Sequence, residues 1–168
     1  GDGRQGTPQT EVVHDSRSTI HDSPVSARER PRTTPVDVER YDAPQSSDGI
    51  DVSVLVPAKD EAENLPRFME LAATAFGPGS LRYEVVVIDD GSVDDTWNVL
   101  ESLRQKYPFL RLVRHRTRRG IADALRTGFH HARGGVLVFY PADLQFLPED
   151  IPRLVAPIVA GEADMVTG

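Results

Sequence analysis

The spacing of apolar residues changes abruptly near Ile50. Before it, isolated Val and Ile residues lie among Pro, Ser, Thr, Asp and Arg with neither a helical nor a strand period. Such a stretch cannot bury enough apolar surface to offset the entropy of ordering it. Residues 1–49 are therefore expected to form a disordered tail or linker. Its mixed-charge run, Arg28-Glu29-Arg30-Pro31-Arg32, is read as solvated chain. Residues 50–168 are expected to form the folded part.

In that part, DVSVLVP (51–57) is β-branched and almost continuously apolar, the pattern of a strand covered on both faces. A helix is expected over 61–76, with Leu65, Phe68, Met69, Ala72 and Phe76 on one stripe and Gly77-Pro78-Gly79 ending it. YEVVVIDD (83–90) predicts a second buried strand, 94–106 a helix, 110–114 an alternating strand and 121–132 a further helix. Gly134-Gly135 stops that helix, VLVFY (136–140) is a fourth strand, 148–159 a last helix, and Asp164 to Thr167 the beginning of a fifth strand. Regular alternation of strand and helix predicts an α/β fold, a mainly parallel sheet with helices on both faces. An open α/β sheet whose sequence stops at Gly168 is expected to lack a carboxy-terminal portion.

Composition narrows the chemistry. The 168 residues carry a net charge of −7 and no cysteine. The charge argues against a protein that coats nucleic acid, but not against a site that aims a few donors at a small phosphorylated ligand. Without cysteine there is neither a disulfide framework nor a thiolate metal site, which fits a reducing compartment. No run approaches the roughly 20 apolar residues that span a bilayer. His130 and His131 are adjacent on a helix, so they diverge and read as surface residues rather than a metal pair.

In parallel sheets ligands bind beyond the carboxyl ends of the strands, which singles out three acidic loops. In VPAKDEAEN, Pro57 closes the strand; the simpler reading of the first two acids is that Asp60 caps the next helix and Glu61 complements its dipole. In DDGSVDDT, Asp89 and Asp90 must point to opposite faces, so one faces the crevice and the other braces the loop, while Asp94 or Asp95 caps a helix. In YPADLQFLPED, Asp143 and Gln145 stand two residues apart, a spacing that lets two oxygens approach one hard cation. No Gly-x-Gly-x-x-Gly follows the first strand and there is no P-loop, which removes dinucleotide oxidoreductases and P-loop enzymes. A phosphoacceptor domain would carry its acidic pair after the first strand, not the second.

VPAKDEAEN, YEVVVIDDGSVDDT, RRGIADALRTGF and YPADLQFLPEDIP, in this order and spacing over residues 51–168, resemble the family 2 glycosyltransferases of the GT-A fold, among them dolichol-phosphate mannose synthase and related polyprenyl-phosphate transferases. The resemblance implies inverting transfer of a sugar from a GDP- or UDP-sugar to a polyprenyl (dolichyl or undecaprenyl) phosphate. It places the work at the cytoplasmic face of a membrane. It implies that Pro57 and Glu61 line a nucleotide pocket, that Asp90 contacts base or ribose with Ile88 beside it, and that Ala142 packs near the ribose. Asp143 and Gln145 match the positions for Mg²⁺ or Mn²⁺ and the diphosphate, and Gly120 and Gly128 match small positions around a helix.

Two positions depart from the family pattern. Pro141 stands where an Asp-x-Asp motif has its first carboxylate, which weakens the cation site and opens an alternative reading as a catalytically impaired donor-binding or scaffold relative. Lys59 stands where relatives often carry an aromatic residue; it either reaches the diphosphate or snorkels to solvent. Arg119 could lean on phosphate, and the basic run from Arg114 to Arg119 could meet anionic headgroups, against a simpler reading of both as solvated connection. No residue offers a secure general base.

Overall fold

The computed structural model describes residues 11–12, 38–41, 49–77 and 79–168. Its strands are β1 (Glu11–Val12), β2 (Val38–Tyr41), β3 (Val52–Ala58), β4 (Tyr83–Asp89), β5 (Leu110–His115), β6 (Val136–Phe139) and β7 (Val166–Thr167). The helices are α1 (Leu65–Phe76), α2 (Thr96–Lys106), α3 (Ile121–His131) and α4 (Ile151–Val159), the last entered through a 3-10 turn at Pro148–Asp150. The main sheet has the order β2-β5-β4-β3-β6; β3 to β6 are mutually parallel, and β2 pairs antiparallel with β5. The order of the parallel strands reverses between β3 and β6, so the crevice expected to receive a ligand opens beyond their carboxyl ends.

The tail reading is crossed at two points by strand pairing, because β2 extends the main sheet and β1 pairs antiparallel with β7. The rest of residues 1–48 lies outside the described residues. Strand β7 falls where a fifth strand is expected, but among the described residues it pairs with β1 and not with the main sheet.

Side chains alternate across the sheet, and each face meets a different layer. Val52, Val54, Val56, Val85, Val87 and Leu112 pack with Leu65, Phe68, Met69 and Ala72 of α1, Leu100 of α2, and Ile151 and Val155 of α4. Complete burial of a side chain such as Phe68 or Leu65 contributes about 1.5–3 kcal/mol. The opposite face carries a thinner layer, Leu55, Val86, Ile88 and Val113, covered by Ala124 of α3. Helix α3 comes close because Gly128 has no side chain: a Cβ there would stand 3.1 Å from Ile88 Cδ1 and 3.4 Å from Leu55 Cδ1.

Below that layer lies a polar network that the run YEVVVIDD conceals. Glu84 has no exposed surface; its Oε1 accepts from Ser53 Oγ (2.6 Å) and the Arg133 N–H (2.8 Å), and its Oε2 from Arg133 Nε (2.7 Å) and Arg111 Nη1 (3.2 Å). Arg111 also donates to the His131 carbonyl at 2.7 Å, so one carboxylate ties β3, β4, β5 and the end of α3 together. Burial raises the Glu84 pKa, but the bonds from Ser53 and Arg133 and the charge of Arg111 outweigh it and hold it below its ordinary value. The alternation in β5 therefore does not mark a solvent face, since both Arg111 and His115 are buried. His131 likewise departs from its surface reading. It is half-buried, and burial together with the nearby His130 and Arg111 charges pushes its pKa down to about 4.

Candidate functional site

The loops after β3 and β4 interlock. The Asp60 N–H donates to Ser92 Oγ (2.9 Å), the Glu61 N–H to Thr96 Oγ1 (2.9 Å), and the Val93 N–H to Asp60 Oδ1 (2.8 Å). Asp60 sits at φ +57° and does not cap the helix that comes after it. That expectation is corrected: α1 begins at Leu65, with Pro66 in its first turn, and the intervening residues turn toward the β4–α2 loop. Lys59 spends its ammonium on Asp60, an ion pair that, with the Val93 N–H, lowers the Asp60 pKa. Glu61 is half-buried and accepts from Asn64 Nδ2 at 2.8 Å.

Asp89 and Asp90 point to opposite faces, as strand geometry requires. Asp89 braces its loop: Oδ1 accepts the Ser92 N–H at 2.9 Å, and Oδ2 lies 3.3 Å from Arg114 Nε, whose guanidinium sits 5.0 Å from the Trp97 ring centre. Asp94 rather than Asp95 takes an N–H of the α2 start, that of Thr96 at 3.0 Å. Asp90 faces the α3 side. Its Oδ1 accepts from His115 Nδ1 and the Arg119 N–H, and its Oδ2 from the Gly120 N–H, all at 2.8 Å. Burial raises its pKa, but these three bonds prevail and hold it below the ordinary carboxylate range.

Two glycines allow the chain to pass here. Gly91 has φ +68°, and a Cβ on it would stand 2.6 Å from the Arg118 nitrogen; Gly120 has φ +93°. The β4–α2 loop thus lies directly on the β5–α3 connection. Arg119 leans on Asp123 at 3.5 Å, while Arg116 and Arg118 are exposed.

The third loop comes after β6, on the other side of β3. It is closed by Tyr140, whose hydroxyl donates to the Leu147 carbonyl at 2.5 Å and whose pKa burial raises to about 12. Asp143 and Gln145 are exposed, and Asp143 Oδ1 accepts the Gln145 N–H at 3.1 Å. Ala142 is 2 % exposed and belongs to the core, and Ile88 has no exposed surface at all. In this conformation neither side chain offers surface to a ligand. Pro57 is half-buried at the end of β3. No group of three or more His, Cys, Asp or Glu side chains that could hold a metal ion occurs among the described residues. Ser92, Thr96 and His115 hold the first two loops in place; the first two stand within DDGSVDDT but are not singled out by it, and His115 lies outside every motif.

A mainly parallel sheet with this strand order and acids at its carboxyl edge fits the GT-A class of α/β proteins, and solved glycosyltransferases of that fold superpose on it. The chain belongs to glycosyl transferase family 2, whose model matches residues 53–168. It is 39 % identical over 117 residues to a dolichol-phosphate mannosyltransferase of Pyrococcus furiosus, a match covering 70 % of this chain and 32 % of that protein. It is 36 % identical over 107 residues to an undecaprenyl-phosphate 4-deoxy-4-formamido-L-arabinose transferase of Pseudomonas savastanoi, covering 62 % and 32 % respectively. A Pyrobaculum calidifontis mannosyltransferase solved with GDP-Man and Mn²⁺ aligns with TM-score 0.52 and 30 % identity, over 62 % of this chain and 31 % of that one. Glucosyl-3-phosphoglycerate synthase of Mycobacterium tuberculosis, solved with Mn²⁺, UDP and glucosyl-3-phosphoglycerate, aligns with TM-score 0.53 and 26 % identity, over 68 % and 41 %. The chain thus spans about a third of the length of the curated relatives it matches.

Proposed function

We propose that this chain grips the nucleotide of a GDP- or UDP-sugar for inverting sugar transfer to a polyprenyl phosphate at the cytoplasmic face of a membrane. The observation that carries this reading is the gathering of three acidic loops at the strand-order reversal, one of them locked around Asp90. Names of relatives that act on dolichol and undecaprenyl phosphates support the acceptor class. No helix among the described residues is long and apolar enough to cross a membrane.

Within this reading Asp90 accepts a donor group of the base or ribose, and Glu61 and Pro57 line the same pocket. Lys59 can turn from Asp60 toward the diphosphate. Ala142 serves through its backbone, and Ile88 is the buried wall behind Asp90. Asp143, with the Gln145 side-chain oxygen, would hold Mg²⁺ or Mn²⁺. The donor set fits a hard cation that keeps waters and takes phosphate oxygens beside one or two carboxylates. When bound, such a cation neutralises charge on the departing diphosphate. The acceptor phosphate is ionised near neutral pH and needs no general base.

Pro141 and the absence of a multi-acid cluster among the described residues favour a second reading, a relative that binds donor without turning it over. Calorimetric titration with GDP- and UDP-sugars, with and without Mg²⁺ or Mn²⁺, separates the two. Binding that tightens with metal is expected. Binding indifferent to metal supports the second reading, and no binding to any donor overturns both.

A further inference from the structure

His115 ends β5 and has no exposed surface, yet its ring is bonded on both sides. Nδ1 lies 2.8 Å from Asp90 Oδ1, and Nε2 lies 2.9 Å from Oγ1 of Thr127, itself 2 % exposed on the inner side of α3. An ionised carboxylate can only accept, so Nδ1 must carry a proton. The Thr127 hydroxyl both donates and accepts, and it satisfies Nε2 whether or not that nitrogen is protonated. The ring is therefore held in one orientation by β4 on one side and α3 on the other.

Asp90 has roughly four lone-pair sites, and three are filled by His115, Arg119 N–H and Gly120 N–H. We propose that His115 is a positioning residue: it fixes the Asp90 carboxylate so that its remaining acceptor site, on Oδ2, meets the N–H or O–H of a donor nucleoside. The proposal rests on the reading of Asp90 as the nucleoside contact. It adds a selectivity. A fixed acceptor pairs with the imino N–H of guanine or uracil and meets an acceptor, not a donor, at the corresponding ring nitrogen of adenine or cytosine. The Arg119 and Gly120 N–H groups each hold one oxygen of the carboxylate, and His115 adds a side-chain bond that ties Oδ1 to β5 and, through Thr127, to α3.

The test compares His115→Phe, which keeps a ring but no donor, with His115→Asn, whose Nδ2 can stand in for Nδ1. GDP and UDP are titrated against each, with inorganic pyrophosphate as a probe that lacks a nucleoside. Loss of a charge-assisted bond is expected to weaken nucleotide binding about tenfold or more in His115→Phe, with most of it restored in His115→Asn and pyrophosphate binding unchanged. Equal nucleotide affinity in both variants, or a parallel loss for pyrophosphate, overturns the proposal. A second measurement needs no variant: imidazole ¹⁵N spectra of the wild-type chain are expected to show Nδ1 protonated throughout the folded range. They are also expected to shift on GDP or UDP addition. An unprotonated Nδ1 overturns the proposal even if no nucleotide binds, whereas failure of the wild type to bind any nucleotide overturns the proposed function instead.

Discussion

Replacing Glu84 with alanine is expected to destabilise the chain by about 3–5 kcal/mol, measured as the change in unfolding free energy in urea, because it removes a buried carboxylate that accepts from Ser53, Arg111 and Arg133 at once. Arg111 is 7 % exposed, and the Arg133 guanidinium is mostly covered. Ser53 Oγ would lose its acceptor as well, although it would still receive the Gly134 N–H at 2.8 Å. The same group sets an acid limb. The folded pKa of Glu84 lies below its ordinary 4.5, so the stability it contributes is fully present above about that pH and is lost as pH falls through the folded value. Glu84→Ala is expected to flatten the decline in stability below pH 4.5. An unchanged acid limb together with a loss under about 1 kcal/mol would mean that the network contributes little.

The second large effect concerns the cation. Asp143→Asn is expected to abolish the gain in nucleotide affinity that Mg²⁺ or Mn²⁺ provides, while leaving metal-free binding within about twofold. Replacing even an outer-shell partner of a metal ligand costs about 10–100-fold in metal affinity, so loss of the site's one carboxylate should cost at least that. Asp143 is exposed and bonds within its own loop, to the Gln145 N–H, so the substitution should not disturb the core. Calorimetry of the variant with and without metal checks this, and a persisting metal-dependent gain would place the cation elsewhere.

Much of the fold is legible in the sequence because buried parallel strands write themselves as β-branched runs. VSVLV and VVVI appear as β3 and β4, and the Leu65–Phe68–Met69–Ala72 stripe is the buried face of α1. The illegible parts depend on contacts distant in sequence. The true start of α1 is hidden because Asp60 is held at positive φ by Ser92 and Val93, more than thirty residues away. The sequence of β2, VERY, sets two charged residues between Val38 and Tyr41 with no strand period, and only its pairing with β5 makes it a strand.

The site is legible in its acids and not in the groups that hold them. Strand alternation separates Asp89 from Asp90 correctly, but which one braces its loop emerges only from the structure. His115 leaves a faint signal, a histidine closing a strand beside an acid-ended neighbour, with Thr127 on the inner side of the next helix. Glu84 leaves almost none, since one acid at the start of an apolar run resembles ordinary strand fraying. Ile88 and Ala142 show the converse limit: a position can match a family motif and still turn its side chain into the core.

The central claim is that the carboxyl edge of the sheet receives a nucleotide diphosphate. Backbone amide chemical-shift mapping of the chain, titrated with GDP and with UDP in the presence of Mg²⁺, tests it most directly. Shifts confined to residues 58–64, 89–96, 119–120 and 142–145 are the predicted result. Shifts centred instead on the groove of about 520 Å³ lined by Leu81, Tyr83, Pro152 and Ala156, or no shifts with either nucleotide, would contradict it.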